Sequence, residues 1–462
     1  MQPPVSLWWS QLDGHVTARR ALTTHIDVDV CIIGGGYTGL WTARELKRRD
    51  PSLRIAILEK SVCGYGASGR NGGWVSALFP VSAEKIIENF GLEAFHHQRK
   101  VLQQAVIGLG TSIEHDSINA NYRRGGTLTF ARSALQADRL KQSVQESRDR
   151  GISAEDLVWL DEPQARERGY VQGSLGATYS PHCARIHPAK LVRGLSDVCA
   201  RLGVAIYENS EVTRITPRSR NHQPEVTTTH GSVHAEFIVR ATEGFTSTFA
   251  GERRSLTPIY SLMIATEPQS EQFWQEVGLS KYETFADDRH LIVYGQRTED
   301  NRIAFGGRGS PYHFGSTVEE RFDFNKKVFT GLSETLRELF PSLEGGITHE
   351  WGGPLAMPRD LMPSVSVDYK TGLASAGGYT GDGVTLSYVA GNALADLLTA
   401  PERQTEFTQL PFVQRHSKRW ELEPLRWLGI NTGIALAKHA DRVEAKHGVT
   451  SRASALLARL LG

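Results

Sequence analysis

The chain has 462 residues, of which 52 are lysine or arginine and 51 are aspartate or glutamate, so its net charge at pH 7 is only +1. This balance excludes a general electrostatic attraction to nucleic acid or anionic lipid. A hydrophobic content of 40% and 45 glycines are typical of a globular protein with many tight turns, and the length predicts two or three domains.

The first residues, MQPPVSLWWSQLDG, lack the basic region and apolar run of a secretory signal. No segment contains the roughly 18 apolar residues that a membrane-spanning helix requires. The four cysteines, at positions 31, 63, 183 and 199, form neither a CxxC pair nor a metal-like cluster. We therefore expect a cytoplasmic protein with buried thiols, without a transmembrane segment and without a metal site.

The first organised element is a βαβ unit in residues 28–60, VDVCIIGGGYTGLWTARELKRRDPSLRIAILEK. Residues 28–33 are predicted to form a buried parallel strand, and residues 39–49 a helix. The run LRIAILE is predicted to form the second strand.

Three glycines lie between the first strand and the helix in the spacing G-x-G-x-x-G. Gly34 permits a tight turn, Gly36 lets the backbone approach a pyrophosphate, and Gly39 lets the helix pack on the strand. Glu59 closes the second strand, where its carboxylate can accept hydrogen bonds from a ribose. The unit is therefore predicted to bind a dinucleotide through Gly34, Gly36, Tyr37, Thr38, Gly39, Glu59 and Lys60.

A glycine-rich loop, GYGASGRNGGW, follows at residues 64–74. In a nicotinamide-dependent enzyme further α/β units normally follow the second strand. Here the glycines let main chain pass close to a flat ring, and polar donors can lie along a pyrophosphate. We therefore predict that the dinucleotide is FAD, with contacts from Ala67, Ser68, Arg70, Asn71, Gly72 and Gly73.

The middle of the chain has a different pattern. Short β-like runs, GGTLTFA, LMIATEP, HLIVYGQ and RIAFGG, are separated by turn-rich segments. Helical stretches such as SALQADRLKQSVQESRDRG lie between them. No second dinucleotide fingerprint occurs, so we expect no NAD(P) site in this chain.

Five segments occur in the order found in one known superfamily: VDVCIIGGGYTGLWTARELK, LEKSVCGYGASGRNGG, IHPAKLVRGL, WGGPLAMPRDLMPSV and GGYTGDGVTLSYVAGNALADLL. Together they resemble the D-amino-acid oxidase (DAO) superfamily of flavoproteins, and most of all its gamma-glutamylputrescine oxidase branch, from about residue 5 to residue 430. The resemblance implies a mixed α/β and α+β fold. In it, a Rossmann-like FAD-binding domain of the glutathione-reductase type is interleaved with a substrate domain built on an antiparallel sheet. The implied FAD-binding domain takes residues 26–85, 150–248 and 345–400, the substrate domain 86–149 and 249–344, and a C-terminal helical segment 401–462.

The resemblance also implies cofactor contacts at Val212, Ala241, Thr242, Gly352, Gly378, Tyr379, Gly381, Gly383 and Val384. The glycine-rich turn 376–384 precedes a helix, whose N–H groups and positive dipole end suit the flavin edge that becomes negative on reduction. Asp382 in this turn is expected to cap the helix, with an effect on the redox potential as the alternative. Cys63 is expected to be buried and inert, so FAD is predicted to be held without a covalent bond.

The implied reaction is FAD-dependent oxidation, by deamination or dealkylation, of a small primary or secondary amine. An aminoalkyl acid, a polyamine conjugate and an aminophosphonate all suit the branch. Hydride transfer to flavin N5 gives an imine that hydrolyses to an aldehyde or keto product, and O2 or another acceptor takes the electrons. No catalytic residue is assigned. Because arginine suits an acidic group and aromatic walls suit a cation, the substrate-site candidates are Trp74, Tyr260, Met263, Arg308, His349, Trp351 and Arg359.

Two other functions stay open. One is an NAD(P)H-dependent flavin hydroxylase, which the missing second nucleotide motif disfavours. The other is a flavin-binding subunit of a larger assembly. The C-terminal segment is basic and helical, and it carries an apolar stripe at Leu456, Leu457, Leu460 and Leu461. This segment is predicted to dock on the protein body, with a subunit or membrane-surface contact as the alternative.

Overall fold

The computed structural model describes residues 6–14, 16–307, 309–451 and 453. The strands are β1 His25–Ile33, β2 Ile55–Leu58, β3 Trp74–Ser76, β4 Thr127–Ala131, β5 Val158–Asp161, β6 Gly176–Ser180, β7 Cys183–Arg185, β8 Ala205–Tyr207, β9 Val212–Thr216, β10 Glu225–Thr228, β11 Ser232–Arg240, β12 Thr257–Thr266, β13 Thr284–Asp287, β14 Val293–Arg297, β15 Ile303–Gly307, β16 Ile347–Met357, β17 Ser364–Asp368 and β18 Leu373–Gly377. The α-helices are α1 Leu7–Ser10, α2 Tyr37–Arg49, α3 Ala83–Phe90, α4 Leu92–His115, α5 Ala134–Asp149, α6 Glu162–Arg166, α7 Pro188–Arg201, α8 Glu271–Val277, α9 Lys326–Leu339, α10 Gly383–Thr399 and α11 Leu425–His447. Short 3-10 helices occur at Ala67–Gly69, Glu243–Thr248, Phe314–Ser316 and Glu320–Asp323.

The first large sheet is built around the βαβ unit. Its strands lie in the order β17-β18-β11-β1-β2-β8, and β10 and β9 extend from the start of β11. Both β2 and β11 pair with β1 in parallel. The helix α2 connects β1 to β2, whereas the chain reaches β11 through the antiparallel strands β9 and β10. Cys31, Ile32 and Ile57 are fully buried in it. The Rossmann-like parallel sheet that the sequence predicted is confirmed.

Two helices cover this sheet next to the glycine turn. The helix α2 packs against α10. A Cβ on Gly391 of α10 would lie only 2.7 Å from Trp41 Cβ on α2. The glycine therefore permits a close crossing of the two helices. This crossing fixes the amino end of α10 beside the amino end of α2.

The second large sheet has the strand order β16-β12-β15-β14-β13-β4-β6-β5. Its neighbours pair antiparallel, apart from β13 and β4. One face packs under α9, where Phe305 and Phe329 are buried in a common cluster. The other face carries Met263 and Trp351, which pack against Trp8 of α1. The predicted antiparallel sheet is confirmed as well.

Strand pairing places β5, β6 and β16 in the second sheet. Their residues lie within the segments 150–248 and 345–400, which the sequence analysis assigned to the FAD-binding domain. The domain boundaries stay a prediction, and these three strands are where the sheet pairing and the predicted boundaries differ.

The C-terminal helix α11 is attached to the loop before β14. Asp441 accepts hydrogen bonds from the backbone N–H groups of His290 and Leu291, at 2.7 and 2.9 Å. Glu444 accepts one from Arg139 at 2.8 Å. The predicted stripe at residues 456–461 lies outside the described residues. In the described part of the chain, no helix combines the length and apolar character needed to span a membrane.

Candidate functional site

The turn between β1 and α2 is closed by glycines that leave no room for a side chain. Gly34 has a φ of +109°, and a Cβ on it would lie 2.4 Å from Ala241 O. A Cβ on Gly39 would lie 2.1 Å from Gly34 O, so α2 approaches the strand end directly. A Cβ on Gly36, the N-cap of α2, would lie 2.9 Å from Ser68 Oγ. The amino end of α2 is therefore surrounded by backbone and one small hydroxyl group.

Glu59 follows β2 and is oriented by the main chain. Its Oε2 accepts a hydrogen bond from Gly35 N–H at 2.8 Å, and its Oε1 accepts one from Ser61 N–H at 2.9 Å. Desolvation raises the pKa of Glu59, against the effect of these two hydrogen bonds. Each carboxylate oxygen keeps a further lone pair for a hydroxyl donor.

The glycine-rich loop is fixed to α2 and to itself. Ser68 Oγ accepts a hydrogen bond from Tyr37 N–H at 2.8 Å. Asn71 accepts one from Gly73 N–H at 2.8 Å and donates to Ala67 O at 3.1 Å. The side chains of Ser68 and Asn71, predicted as donors to the cofactor, thus have protein partners that set the shape of the loop.

Arg70 connects the same loop to the second sheet. Its guanidinium donates to Asp323 Oδ2 at 2.5 Å and to Gly352 O at 2.9 Å. It also lies 5.3 Å from the centre of the Tyr65 ring. The backbone oxygen of Arg70 accepts a hydrogen bond from Trp351 Nε1 at 2.8 Å. Because the Arg70 side chain is only 5% exposed, these contacts are shielded from bulk water.

Glu243 lies beyond β11 and joins it to the turn before α10, and the sequence analysis assigned it no role. Its carboxylate accepts hydrogen bonds from the backbone N–H groups of Gly378 at 2.9 Å and of Tyr379 and Ala356 at 3.3 Å. Burial raises the pKa of Glu243 to about 7. An acidic residue three positions after the end of a buried strand, in RATEG, was the available signal.

The turn 376–384 leads into α10 beside these contacts. Gly378 and Gly381 have φ values of +77° and +113°, which favour glycine. Tyr379 OH lies 2.9 Å from Thr38 Oγ1 and so joins the turn to α2. Asp382 occupies the N-cap position of α10, but its side chain makes no capping hydrogen bond. The predicted capping role of Asp382 is therefore wrong.

These elements enclose a cleft. All 22 predicted cofactor contacts are described residues, and 17 of them line it: Gly34, Gly36, Tyr37, Thr38, Glu59, Lys60, Ala67, Ser68, Arg70, Asn71, Val212, Ala241, Thr242, Tyr379, Gly381, Gly383 and Val384. The other five, which do not line it, are Gly39, Gly72, Gly73, Gly352 and Gly378. A Cβ on Gly72 would lie 2.3 Å from the Tyr294 ring, so this glycine is needed where the loop packs on the second sheet.

Sequence reasoning missed the acidic side of the cleft. Glu319, Glu320 and Asp323 line it next to the second sheet. Tyr65 OH donates a hydrogen bond to Glu320 Oε1 at 2.5 Å. These acids lie in a turn-rich segment without a recognisable pattern, STVEERFDFN, so no sequence signal marked them.

A family model described as "DAO: FAD dependent oxidoreductase" matches residues 29–397. The chain belongs to this family. It is an FAD-dependent oxidoreductase, and the cleft described above contains most of the predicted FAD contacts.

Curated relatives extend the similarity along most of the chain. Gamma-glutamylputrescine oxidoreductase of Escherichia coli (strain K12) is 29% identical over 395 residues, which cover 84% of this chain and 88% of that protein. A probable oxidoreductase OrdL of Haemophilus influenzae is 26% identical over 389 residues, or 83% of this chain and 85% of that protein. Among solved structures, glycine oxidase from Geobacillus kaustophilus superposes with a TM-score of 0.70 at 23% identity, covering 84% of this chain and 98% of that chain. The last comparison shows a shared fold.

The geometry of this FAD-dependent oxidoreductase fits its cofactor. A Cβ at Gly34, Gly36 or Gly39 would clash with neighbouring protein atoms, so the turn presents backbone to a pyrophosphate. Both α2 and α10 begin at the cleft, so two positive helix ends face it. Cys63 is buried outside the lining of the cleft, and burial raises the pKa of its thiol. These observations support FAD held without a covalent bond, which stays a prediction.

Several predicted substrate-site residues of the oxidoreductase form a layer behind the cleft. Trp74 packs edge-on against Tyr294, with ring centres 5.8 Å apart. Tyr260 is 1% exposed, and its OH accepts a hydrogen bond from Glu319 N–H at 3.3 Å. Met263 and Trp351 are buried together under α1. None of these four described candidates lines the cleft, so their role in substrate binding stays a prediction.

The remaining candidates lie further away. His349 is half-buried, with Nε2 3.1 Å from Ser10 Oγ. Arg359 is 45% exposed and donates to Glu421 Oε1 at 2.8 Å. The described residues His349 and Arg359 are absent from the lining of the cleft. Arg308 lies outside the described residues.

Proposed function

We propose that this chain oxidises a small primary or secondary amine that carries additional positive charge, such as a polyamine conjugate, by oxidative deamination or dealkylation. One observation carries the choice of substrate: Glu319, Glu320 and Asp323 line the same cleft as the glycine turn. When bound there, FAD supplies the two-electron acceptor for a hydride from the C–H bond beside the nitrogen, and the resulting imine hydrolyses to an aldehyde or keto product.

The names of two relatives support an amine substrate. One of these proteins is named for gamma-glutamylputrescine and another for glycine. Both names denote compounds with an amine nitrogen next to a C–H bond. They support the amine class proposed here, and the acidic residues favour a substrate with a further cationic group over an aminoalkyl acid or an aminophosphonate.

The acidic residues leave an excess of negative charge at the cleft. Asp323 is paired with Arg70 at 2.5 Å, and Glu319 with Arg321 at 2.7 Å. Glu320 accepts its hydrogen bond from the neutral Tyr65. An ammonium group 4 Å from one such carboxylate gains about 1 kcal/mol in water and about 4 kcal/mol at an effective dielectric constant near 20. The charge therefore favours a cationic amine.

One residue of the cleft can also deprotonate the substrate ammonium group before hydride transfer. Hydride transfer requires the neutral amine, so a base must take the ammonium proton. Asp323 lines the cleft, and burial raises its pKa although its ion pair with Arg70 opposes the shift, so this carboxylate is the acceptor that we propose for the proton. Phe245, Phe249 and Leu355 add apolar surface to the lining of the cleft.

The first experiment follows the flavin absorbance of the purified protein under anaerobic conditions. We expect rapid bleaching by monoacylated polyamines and diamines, and weaker bleaching by N-methyl amino acids and aminophosphonates. Admission of air then distinguishes an oxidase, which recolours quickly and forms peroxide, from a dehydrogenase, which recolours slowly. Bleaching by amino acids alone would contradict the proposed substrate class. No bleaching by any amine would contradict amine oxidation itself.

A substitution of Glu320 tests directly whether its charge contributes to substrate binding. Glu320→Gln is expected to raise KM for a dicationic amine by about tenfold at low salt, with kcat nearly unchanged, because it removes uniform electrostatic binding. Glu334→Gln, an exposed glutamate on α9, is the matched control. Equal KM values for the two variants would show that the charge at position 320 does not bind the substrate.

A flavin-bearing subunit of a larger assembly is the second candidate. Its support is a group of exposed apolar side chains at and before the start of α11: Leu422, Leu425, Trp427 and Leu428. If the purified chain is monomeric and oxidises an amine unaided, this candidate is wrong. Rapid flavin reduction by NAD(P)H without an amine would instead favour a hydroxylase.

A further inference from the structure

The amino ends of β1 and β11 carry a cluster of side chains that the proposed function does not use. His25 and Asp27 lie two residues apart on β1, so their side chains project from the same face of the sheet. His234 on β11 is the register partner of Asp27, and Glu225 on β10 is the register partner of His234. Four side chains with ligand atoms thus lie at adjacent positions on three neighbouring strands.

The distances within this cluster suit a small metal ion. Asp27 Oδ1 lies 3.6 Å from His25 Nε2 and 3.6 Å from His234 Nδ1. The ligand atoms of these three residues all lie within 4.8 Å of one another. A tetrahedral Zn2+ ion with bonds of about 2.0–2.2 Å holds its ligand atoms about 3.3 Å apart. Small side-chain rotations would bring all three atoms to one ion.

The second nitrogen of each ring also has a partner. His25 Nδ1 lies 2.9 Å from Ser232 Oγ, and His234 Nε2 lies 3.7 Å from Glu225 Oε1. An imidazole that binds a metal usually donates its other N–H to an oxygen, which fixes the tautomer and the ring orientation. When His25 Nδ1 and His234 Nε2 carry the protons of the two neutral rings, the first donates to Ser232, the second lies beside Glu225, and the lone pairs of the other two nitrogens face Asp27.

We propose that His25, Asp27 and His234 bind one divalent transition-metal ion, with Ser232 and Glu225 as the partners that orient the two rings. Imidazole ligands favour zinc and its neighbours in the first transition row, whereas Mg2+ and Ca2+ prefer oxygen ligands alone. The three side chains are 41–63% exposed, so water can complete the coordination. The sequence analysis, which considered the cysteines, expected no metal site. The three proposed ligands come from strands about 200 positions apart, so no motif spacing marks them.

The position of this site predicts a structural role. His25 begins β1, and Gly34 follows the opposite end of that strand. At about 3.3 Å per residue, the ion lies about 25–30 Å from the glycine turn, far from the reacting atoms. It would link β1 to β11 and β10, the strands whose pairing supports the cofactor cleft. The proposal is therefore independent of the substrate assigned above.

The test is calorimetric titration of ZnCl2 into the flavin-loaded protein after removal of metals by dialysis against a chelator. We expect one Zn2+ per chain with a dissociation constant in the micromolar range or tighter, no comparable binding of Mg2+, and an increase in Tm with Zn2+. His25→Ala, His234→Ala and Asp27→Asn should each weaken Zn2+ binding by at least about tenfold.

His222→Asn is the matched control, because His222 is an exposed histidine in the turn between β9 and β10. It should bind Zn2+ as the unchanged protein does. Flavin absorbance and circular dichroism verify that every variant is folded. Two results would overturn the proposal. One is Zn2+ binding well below one ion per chain, and the other is an affinity for Zn2+ in all three cluster variants equal to that of the unchanged protein.

Discussion

At Gly36 a single added carbon atom decides whether the amino end of α2 stays open. A Cβ there would lie 2.9 Å from Ser68 Oγ, and Gly36→Val adds two further methyl groups at an N-cap that disfavours valine. We expect the purified variant to hold less than about a tenth of the normal flavin, because the pyrophosphate can no longer approach the backbone. The ratio of flavin to protein absorbance measures this loss.

Gly331→Ala is a suitable control for that substitution. Gly331 lies within α9, and a Cβ on it has no atom within 4 Å among those of the described residues. This variant should keep its flavin and gain slightly in stability, because alanine is the better helix former. If Gly36→Val also kept its full colour, the position of the pyrophosphate would be wrong.

The raised pKa of Glu243 predicts that the stability of the folded protein depends on pH. The ordinary pKa of 4.5 is raised to about 7 in the folded protein, so between these values the folded state binds more protons than the unfolded state. Proton binding to Glu243 therefore stabilises the folded state. This stabilisation is complete below the pKa of Glu243 in the unfolded protein and is lost as pH rises through its pKa in the folded protein. The change in the free energy of unfolding amounts to about 3 kcal/mol at most.

Glu243→Gln removes this titration and keeps an acceptor for the backbone N–H groups. We expect the Tm of the unchanged protein to fall relative to that of the variant between pH 5 and pH 8. The measurement is a pair of melting curves at each pH on flavin-loaded protein. Parallel pH profiles would mean that Glu243 stays ionised throughout.

At the scale of single elements, we expect opposite results from replacing Arg70 and from replacing Arg359 with alanine. Arg70 is 5% exposed and joins the glycine-rich loop to Asp323 and to β16, so Arg70→Ala leaves the Asp323 carboxylate, which is 21% exposed, without its cation. Loss of one partner costs about 3–5 kcal/mol in a fully buried pair, and less in this pair because solvent partly screens the charge. We expect a clear fall in Tm together with loss of flavin.

Arg359→Ala serves as the comparison on the surface. The pair of Arg359 and Glu421 is 45% and 43% exposed, and such pairs contribute about 0–1 kcal/mol. Flavin content and KM should stay unchanged, as measured by absorbance and steady-state kinetics. A large rise in KM would instead restore Arg359 as a substrate-binding residue.

The elements that could be predicted are those whose local pattern is sufficient to determine them. The strand predicted at 28–33 is part of β1, and the helix predicted at 39–49 is the main part of α2. The run SALQADRLKQSVQESRDRG forms α5, with Ser133 accepting a hydrogen bond from Gln136 N–H at its start. In each case, the hydrophobic period or the cap is contained within a few consecutive residues.

The contacts that could not be predicted depend on distant segments. Glu320 lies opposite Tyr65, and Trp351 donates to the backbone of Arg70, across more than 250 sequence positions in both pairs. Asp382 shows the same limit locally. Its N-cap position was predicted correctly, but its side chain does not make the predicted capping hydrogen bond to α10. Such geometry is determined by tertiary packing, for which a single sequence has no local signal.

At the scale of the whole molecule, α11 stabilises the second sheet without contributing to the cleft. Asp441 and Glu444 hold the loop at His290, whereas none of the described residues of α11 lines the cleft. A double variant, Asp441→Ala with Glu444→Ala, should lower Tm by several degrees, because it leaves several partly buried donors without acceptors. Its flavin content should match that of Lys446→Ala, a control at an exposed position of the same helix. Loss of flavin in the double variant would show that α11 supports the cleft after all.

The lining of the cleft runs from Ile33 to Ser387, and this span has a consequence for biosynthesis. At about 5–20 residues per second, a ribosome needs about 20–70 s to make the chain between these two positions. During that interval, the nascent chain already contains the glycine turn, while the turn 376–384 that closes the cleft does not yet exist. Flavin uptake must therefore be one of the last events of maturation, and a product terminated before residue 376 would be colourless however well its first strand and helix had folded.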